Sequence, residues 1–118
     1  MGGFVRGQVV VLPFPFSDLS SSKKRPALVI APLTGDDLIV CQITTVVRGD
    51  GYAISLTNRD FVTGSLPHPS TIRTNRLFTA DSKVILRAVG TLSRKKVDEV
   101  IDRIIQICYK ISRVSDWL

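Results

Sequence analysis

The chain has 118 residues, 44% of them apolar, and carries 16 lysines and arginines against 10 aspartates and glutamates, for a net charge of +6. That length suits a single domain spanning residues 1–118 with its own hydrophobic core, and the even spread of apolar residues excludes global disorder. No apolar run approaches the ~20 residues of a membrane span, and Leu12-Pro13-Phe14-Pro15 interrupts any leader-like segment, so a cytoplasmic protein with an anionic partner is expected.

Residues 8–16 are rich in β-branched and aromatic side chains, and their two prolines suit a strand at an edge or a bulge. Alternation of Phe14 and Phe16 favours packing over stacking on bases. Residues 17–24 read as a small polar loop whose tip would cover a site beside Arg25. The next strand runs over residues 26–31. Pro26 has no backbone N–H and a fixed φ, which fits the first residue of a strand. Arg25 is thereby pinned on one side and free on the other to meet a phosphate or carboxylate with its planar fork. Thr34-Gly35-Asp36-Asp37 supplies a turn, and residues 38–45 return as a near-continuous apolar strand, making a central hairpin.

Arg48-Gly49-Asp50-Gly51 is another turn before a short strand over residues 52–56 with one exposed face. Asn58-Arg59-Asp60 turns the chain again, and no element is assigned over residues 62–67. Residues 70–79 contain a strand. Residues 84–92 form the last one, with Gly90 marking a bulge or a close backbone contact. Short strands at regular spacing indicate a compact barrel-like sheet. Behind Ser93, a candidate N-cap, the residues Val97, Val100, Ile101, Ile104, Cys108 and Ile111 fall at helical steps. Lys96, Asp98, Glu99, Asp102, Arg103 and Lys110 occupy the opposite, solvated face. Ile105 and Ile107 widen the apolar stripe, for deep burial or for contact with a second subunit. Cys41 and Cys108 stand in apolar surroundings and are expected to be buried and reduced. With one histidine, no Cys-x-x-Cys pair and no tight carboxylate cluster, nothing in the sequence argues for a metal site or a cofactor.

Arg25 before one strand, Thr44 at the end of the facing one and Arg73 in a later one would make a cationic pocket if the sheet closes. RNA cleavage without a metal requires a 2′-hydroxyl to attack its own phosphate in line with the leaving 5′-oxygen. The protein must stabilise charge on the phosphorane and manage two protons. An arginine suits the first task, and a threonine hydroxyl can orient an oxygen or relay a proton. Arg73, Arg76 and Lys83 lie close enough in sequence to favour phosphate contact over a merely solvated face.

Gly7-Gln8-Val9-Val10, Phe14-Pro15-Phe16-Ser17-Asp18, Lys24-Arg25-Pro26-Ala27-Leu28-Val29-Ile30, Ile43-Thr44-Thr45, the residues from Ser70 to Thr79 and Val89-Gly90-Thr91-Leu92-Ser93 follow one another in an order that resembles the MazF/PemK toxin family. The likeness runs over about residues 7–107. It implies a mainly β fold, an SH3-like small barrel with a C-terminal amphipathic helix, usually homodimeric. It also implies the toxin of a type II toxin-antitoxin pair: a sequence-specific, metal-independent endoribonuclease that cuts mRNA to 2′,3′-cyclic phosphate and 5′-hydroxyl ends and is neutralised by a cognate protein antitoxin. The family's catalytic arginine falls on Arg25 and its catalytic Ser/Thr on Thr44. RNA binding would involve Lys23, Lys24, Thr45, Ser70, Arg73 and Arg76. Some members use a carboxylate near the Arg73 segment as a base; here Ser70 and Asn75 stand in its place, which leaves Asp18 or His68 as proton handlers. Two other functions are compatible with such a barrel. One is a non-catalytic toxin that poisons DNA gyrase through its C-terminal end, faintly echoed in Trp117-Leu118, and the other is an RNA-binding barrel without catalysis.

Overall fold

The structure is a computed structural model and describes residues 3–14, 23–47 and 49–111. Asp18, Phe16 and Trp117-Leu118 lie outside the described residues. Seven strands, β1 (Gln8–Phe14), β2 (Lys23–Pro32), β3 (Asp37–Thr44), β4 (Ala53–Leu56), β5 (Phe61–Gly64), β6 (Ser70–Asp81) and β7 (Arg87–Leu92), precede one helix, α1 (Arg94–Ile111). They form an antiparallel sheet in the order β4-β6-β3-β2-β1-β7-β5, curled into a half-barrel. Mainly β with a C-terminal helix is thus the observed class, as the sequence implies.

Strand alternation divides the apolar residues between the two faces of the sheet. One face carries Val9, Leu28, Cys41, Ile43, Ile54, Leu56 and Ile72, which pack with Val97 and Val100 of α1. The other carries Val10, Leu12, Phe14, Ala27, Val29 and Val40, and Phe14 meets Phe78 edge to face at 4.8 Å between ring centres. The helix starts as predicted: the Ser93 hydroxyl accepts the Lys96 N–H at 3.2 Å.

Several sequence expectations change. Pro26 does not open its strand. β2 begins three residues earlier, with Lys23, Lys24 and Arg25 opposite Phe14, Pro13 and Leu12, so the two lysines belong to a strand and not to a loop. The sheet tolerates Pro26 because its partner Val11 directs its carbonyl to the Leu86 N–H on the β7 side. The Val11–Pro26 pair is therefore not hydrogen-bonded, and the missing donor of Pro26 points toward β3, where the paired register begins only at Ala27–Gln42. β5 carries no strand signal of its own and exists through β7: Gly64 adopts φ +75°, and a Cβ there would collide with the Val89 carbonyl. Gly90 answers from β7, where a Cβ would come within 2.5 Å of the Thr63 carbonyl oxygen and 2.7 Å of the Phe61 ring. Residues 82–84 form a 3-10 turn ahead of β7. Both cysteines are free, and Cys41 is buried, but Cys108 is exposed because the apolar stripe of α1 leaves the sheet before reaching it. Lys96 is not on a solvated face: its side chain is largely buried, and its Nζ reaches the Glu99 carboxylate at 2.9 Å, the Ser55 carbonyl at 3.1 Å and the Asp60 carboxylate at 3.7 Å.

Candidate functional site

The face turned away from α1 carries most of the site residues that the sequence predicts. Arg25 shares the parity of Ala27 and Val29 on β2, and Thr44 shares that of Val40 on β3, so both belong to this face. The β2–β3 register pairs Ala27 with Gln42 and Leu28 with Cys41; carried two residues on, it sets Arg25 opposite Thr44. Thr44 in turn pairs with Thr71 on β6, and Thr71 with Ser55 on β4. Leu12, Arg25, Thr44, Thr71 and Ser55 thus make one rung across five strands, with the cation between a leucine on one side and three hydroxyls on the other. Arg73, two residues beyond Thr71, occupies the next rung of the same face about 7 Å further along β6.

Lys23 shares this face with Arg25, whereas Lys24 points to the other side of β2 by alternation. Ser70 pairs with Leu56 on the helix-side face, and its hydroxyl donates to the His68 carbonyl at 3.0 Å. Thr45, Arg76 and His68 are exposed beyond the rung. The sequence-predicted set is therefore split: Lys23, Arg25, Thr44 and Arg73 come together, and Lys24 and Ser70 do not join them. Thr71 is the hydroxyl that sequence reasoning missed, although a residue two before Arg73 in a strand must share its face.

Thr44 and Arg25 are both half-buried, open enough for a ligand and anchored enough to hold a direction. The Thr44 hydroxyl accepts the Val46 N–H at 3.1 Å, which fixes the oxygen and leaves its own hydrogen to donate. Among the described residues Arg25 has no ion-pair partner.

Arg73 is held differently. Between Cys41–Leu77 and Ile43–Ile72 the β3–β6 register slips, so residues 73–76 of β6 bulge opposite Gln42. The bulge is pinned from three sides. The Cys41 thiol donates to the Arg73 carbonyl at 2.9 Å. The Tyr52 carbonyl accepts both the Thr74 N–H at 3.1 Å and the Thr74 hydroxyl at 2.6 Å. The Arg73 Nη1 lies 2.8 Å from Asp50 Oδ2 with its side chain only 7% exposed. A carboxylate thus stands beside Arg73, and it comes from the β3–β4 turn. No local pattern announces Asp50, because the contact joins positions 23 residues apart. The Tyr52 N–H donates to Asp50 at 3.1 Å. That bond above all, with the Arg73 guanidinium behind it, holds the carboxyl below its ordinary range against the opposing effect of desolvation. Burial pushes the Cys41 thiol up to about 12, the nearby Arg73 charge pulling weakly the other way. α1 braces the same turn, its Arg103 donating to the Gly51 carbonyl at 2.6 Å. Among the described residues no group of three or more His, Cys, Asp and Glu side chains is placed to hold a metal, and no helix is long and apolar enough to cross a membrane.

A curled antiparallel sheet backed by one C-terminal helix defines a fold class that also contains bacterial toxins. MazF in the Deinococcus radiodurans MazE-MazF structure superposes with a TM-score of 0.73 at 16% identity, over 91% of this chain and 97% of that one. The Mycobacterium tuberculosis toxin MazF-mt6 gives 0.65 at 20% identity, over 82% and 91%. A mycobacterial endoribonuclease in complex with its cognate antitoxin gives 0.70 at 13% identity, over 88% and 93%. Comparison with individually curated protein sequences gives no match. Residues 5–108 match the family model of the PemK-like, MazF-like toxin of type II toxin-antitoxin systems, and the chain belongs to that family.

Proposed function

We propose that this toxin is an endoribonuclease that cuts single-stranded mRNA at specific sites without a metal, with Arg25 and Thr44 at the reacting phosphate. The observation that carries the reading is the rung itself: a half-buried guanidinium with no ion-pair partner among the described residues and a hydroxyl whose oxygen is fixed by the Val46 N–H, set opposite each other on the face away from α1 of a family fold. In the reaction the ribose 2′-oxygen forms a bond to phosphorus as the bond from phosphorus to the 5′-oxygen breaks. One proton leaves the 2′-hydroxyl and another reaches the 5′-oxygen, giving a 2′,3′-cyclic phosphate and a 5′-hydroxyl. Arg25 stays ionised and offers its fork to the two non-bridging oxygens as they gain charge. Thr44, its oxygen fixed by Val46, donates to one of them and sets the phosphate in line. Lys23 and Arg73 attract neighbouring phosphates. His68, exposed on the loop before β6, and Asp18 are the candidates for handling the protons.

The protein partner in this reading is a cognate antitoxin that covers the same face, the toxin acting as a homodimer in the cytoplasm. Solved relatives of the same fold are bound to their antitoxins, which supports that partner. The test is incubation of purified protein with a long RNA in EDTA, followed by mapping of the ends. Discrete cuts with cyclic phosphate termini are expected, and Arg25→Ala should slow them by about 10²–10³-fold while leaving the circular dichroism spectrum unchanged. RNA that is bound but never cut, or full activity in Arg25→Ala, would overturn the proposal.

A further inference from the structure

The Asp50–Arg73 pair is an incomplete solution to the charge it serves. Arg73 is buried to the last few per cent, and its Nη1 has no acceptor in line with its N–H groups, although Asp50 Oδ2 is 2.8 Å away. The contact is ionic and off-axis, not a fork-to-carboxylate bond. A buried guanidinium cannot be left without a counter-charge, so an anion has to stand here in the free protein. An off-axis carboxylate meets that need while leaving hydrogen-bonding capacity unused.

Asp50 is also built to leave. Its side chain is 34% exposed, and it sits between Gly49 and Gly51 with Gly51 at φ +81°, in a turn, not a strand. Its Oδ1 is tied to its own turn by the Tyr52 N–H at 3.1 Å. A carboxylate released from Arg73 would enter water at once and keep that bond. Arg73 itself cannot follow, because Cys41 and the Thr74–Tyr52 bonds hold the bulge around it. One partner is fixed and the other movable, and among the described residues no second carboxylate lies within ion-pair distance of Arg73.

We propose that Asp50 is an exchangeable internal counter-ion, occupying Arg73 in the free protein and giving way to a phosphate that meets the guanidinium head-on. The identity of that phosphate as one of RNA rests on the function proposed above; the exchange itself does not. It makes Asp50 a brake on anion binding, a role opposite to that of a residue that merely positions Arg73. A positioning residue strengthens ligand binding and its loss weakens it, whereas loss of a competitor strengthens it.

Inorganic phosphate separates the two. Its binding to the full chain, followed by calorimetry and by the rise in melting temperature, should tighten about fivefold in Asp50→Asn. Asp50→Ser, which also keeps an acceptor for Tyr52, should behave alike and serves if the first variant folds poorly. Asp98→Asn removes the same charge from the first turns of α1 and should bind phosphate as the wild type does. Adding Arg73→Gln to Asp50→Asn should erase the gain. Equal or weaker phosphate binding in both Asp50 variants would overturn the exchange, as would an equal gain in Asp98→Asn, which would reduce the effect to net charge. A wild-type protein that leaves RNA uncut while Asp50→Asn still tightens phosphate would sink the ribonuclease reading and uphold the exchange.

Discussion

Arg25 and Arg73 occupy the same face of one sheet, about two strand spacings apart, and the sheet treats them in opposite ways. Arg25 stands on a regular strand, half-buried, with no ion-pair partner among the described residues. Arg73 stands on a bulge, nearly inaccessible, with a carboxylate beside it and its carbonyl tied to Cys41. A charge left half in water costs the fold little and remains free to act, while a charge taken out of water has to be woven into its surroundings. One arginine is thus left open and the other tied into the fold, although the two look alike in sequence.

The contrast is tested most sharply by removing each cation in turn. Arg25→Ala should lower RNA cleavage by about 10²–10³-fold, the usual loss when a transition-state charge stabiliser is deleted, while the melting temperature moves by no more than about 2 °C. If Arg25 instead proved as costly to stability as Arg73, the division between the two would collapse. Thr44→Val keeps the shape of the side chain and should cost on the order of tenfold in cleavage, the worth of one hydrogen bond; an undiminished rate would remove Thr44 from the rung's chemistry.

The other arm of the comparison reads out in stability and has a direction. Arg73→Met leaves Asp50 at the surface, where water can take it, but Asp50→Ala strands a buried guanidinium. Asp50→Ala should therefore melt lower than Arg73→Met. The pH dependence follows from the lowered pKa of Asp50. A carboxyl held below its ordinary value of 3.8 contributes stability that is fully present above that value and is lost as the pH falls through the lowered one. The melting-temperature gap between wild type and Asp50→Ala should hold steady around neutrality and close only in acid. A gap already closing near pH 6 would mean that another group sets it.

What the sequence could and could not convey follows the same physical line. β1–β4, β6, β7 and α1 are announced by residues whose alternation or helical spacing is local, and Ser93 caps the helix where its position says it should. β5 is not announced, since residues 61–64 become a strand only through the glycine-to-glycine approach of Gly64 and Gly90. Pro26 misleads because a proline's effect depends on which neighbour its nitrogen faces, and that is a property of pairing. The rung of Arg25 and Thr44 follows from hairpin register, and the family resemblance reaches the same pair. Asp50 is invisible, because its place at Arg73 depends on a bulge in β6 and a turn between β3 and β4 meeting in space.

The smallest effect concerns the two thiols and tells whether the weave around Arg73 is as tight as its geometry implies. Cys108 is exposed, and Cys41 is buried, with its pKa pushed up to about 12 and its hydrogen given to the Arg73 carbonyl. A disulfide reagent at neutral pH should titrate one thiol quickly and the second only as the sheet opens. Because the slow phase requires the bulge at residues 73–76 to part from β3, Arg73→Met should accelerate it a few-fold. Arg25→Ala, on the same face but outside that weave, should leave the slow phase at the wild-type rate. Equal acceleration by both substitutions would mean that Cys41 is reached by opening of the whole sheet, and that Arg73 is no more deeply tied into the fold than Arg25.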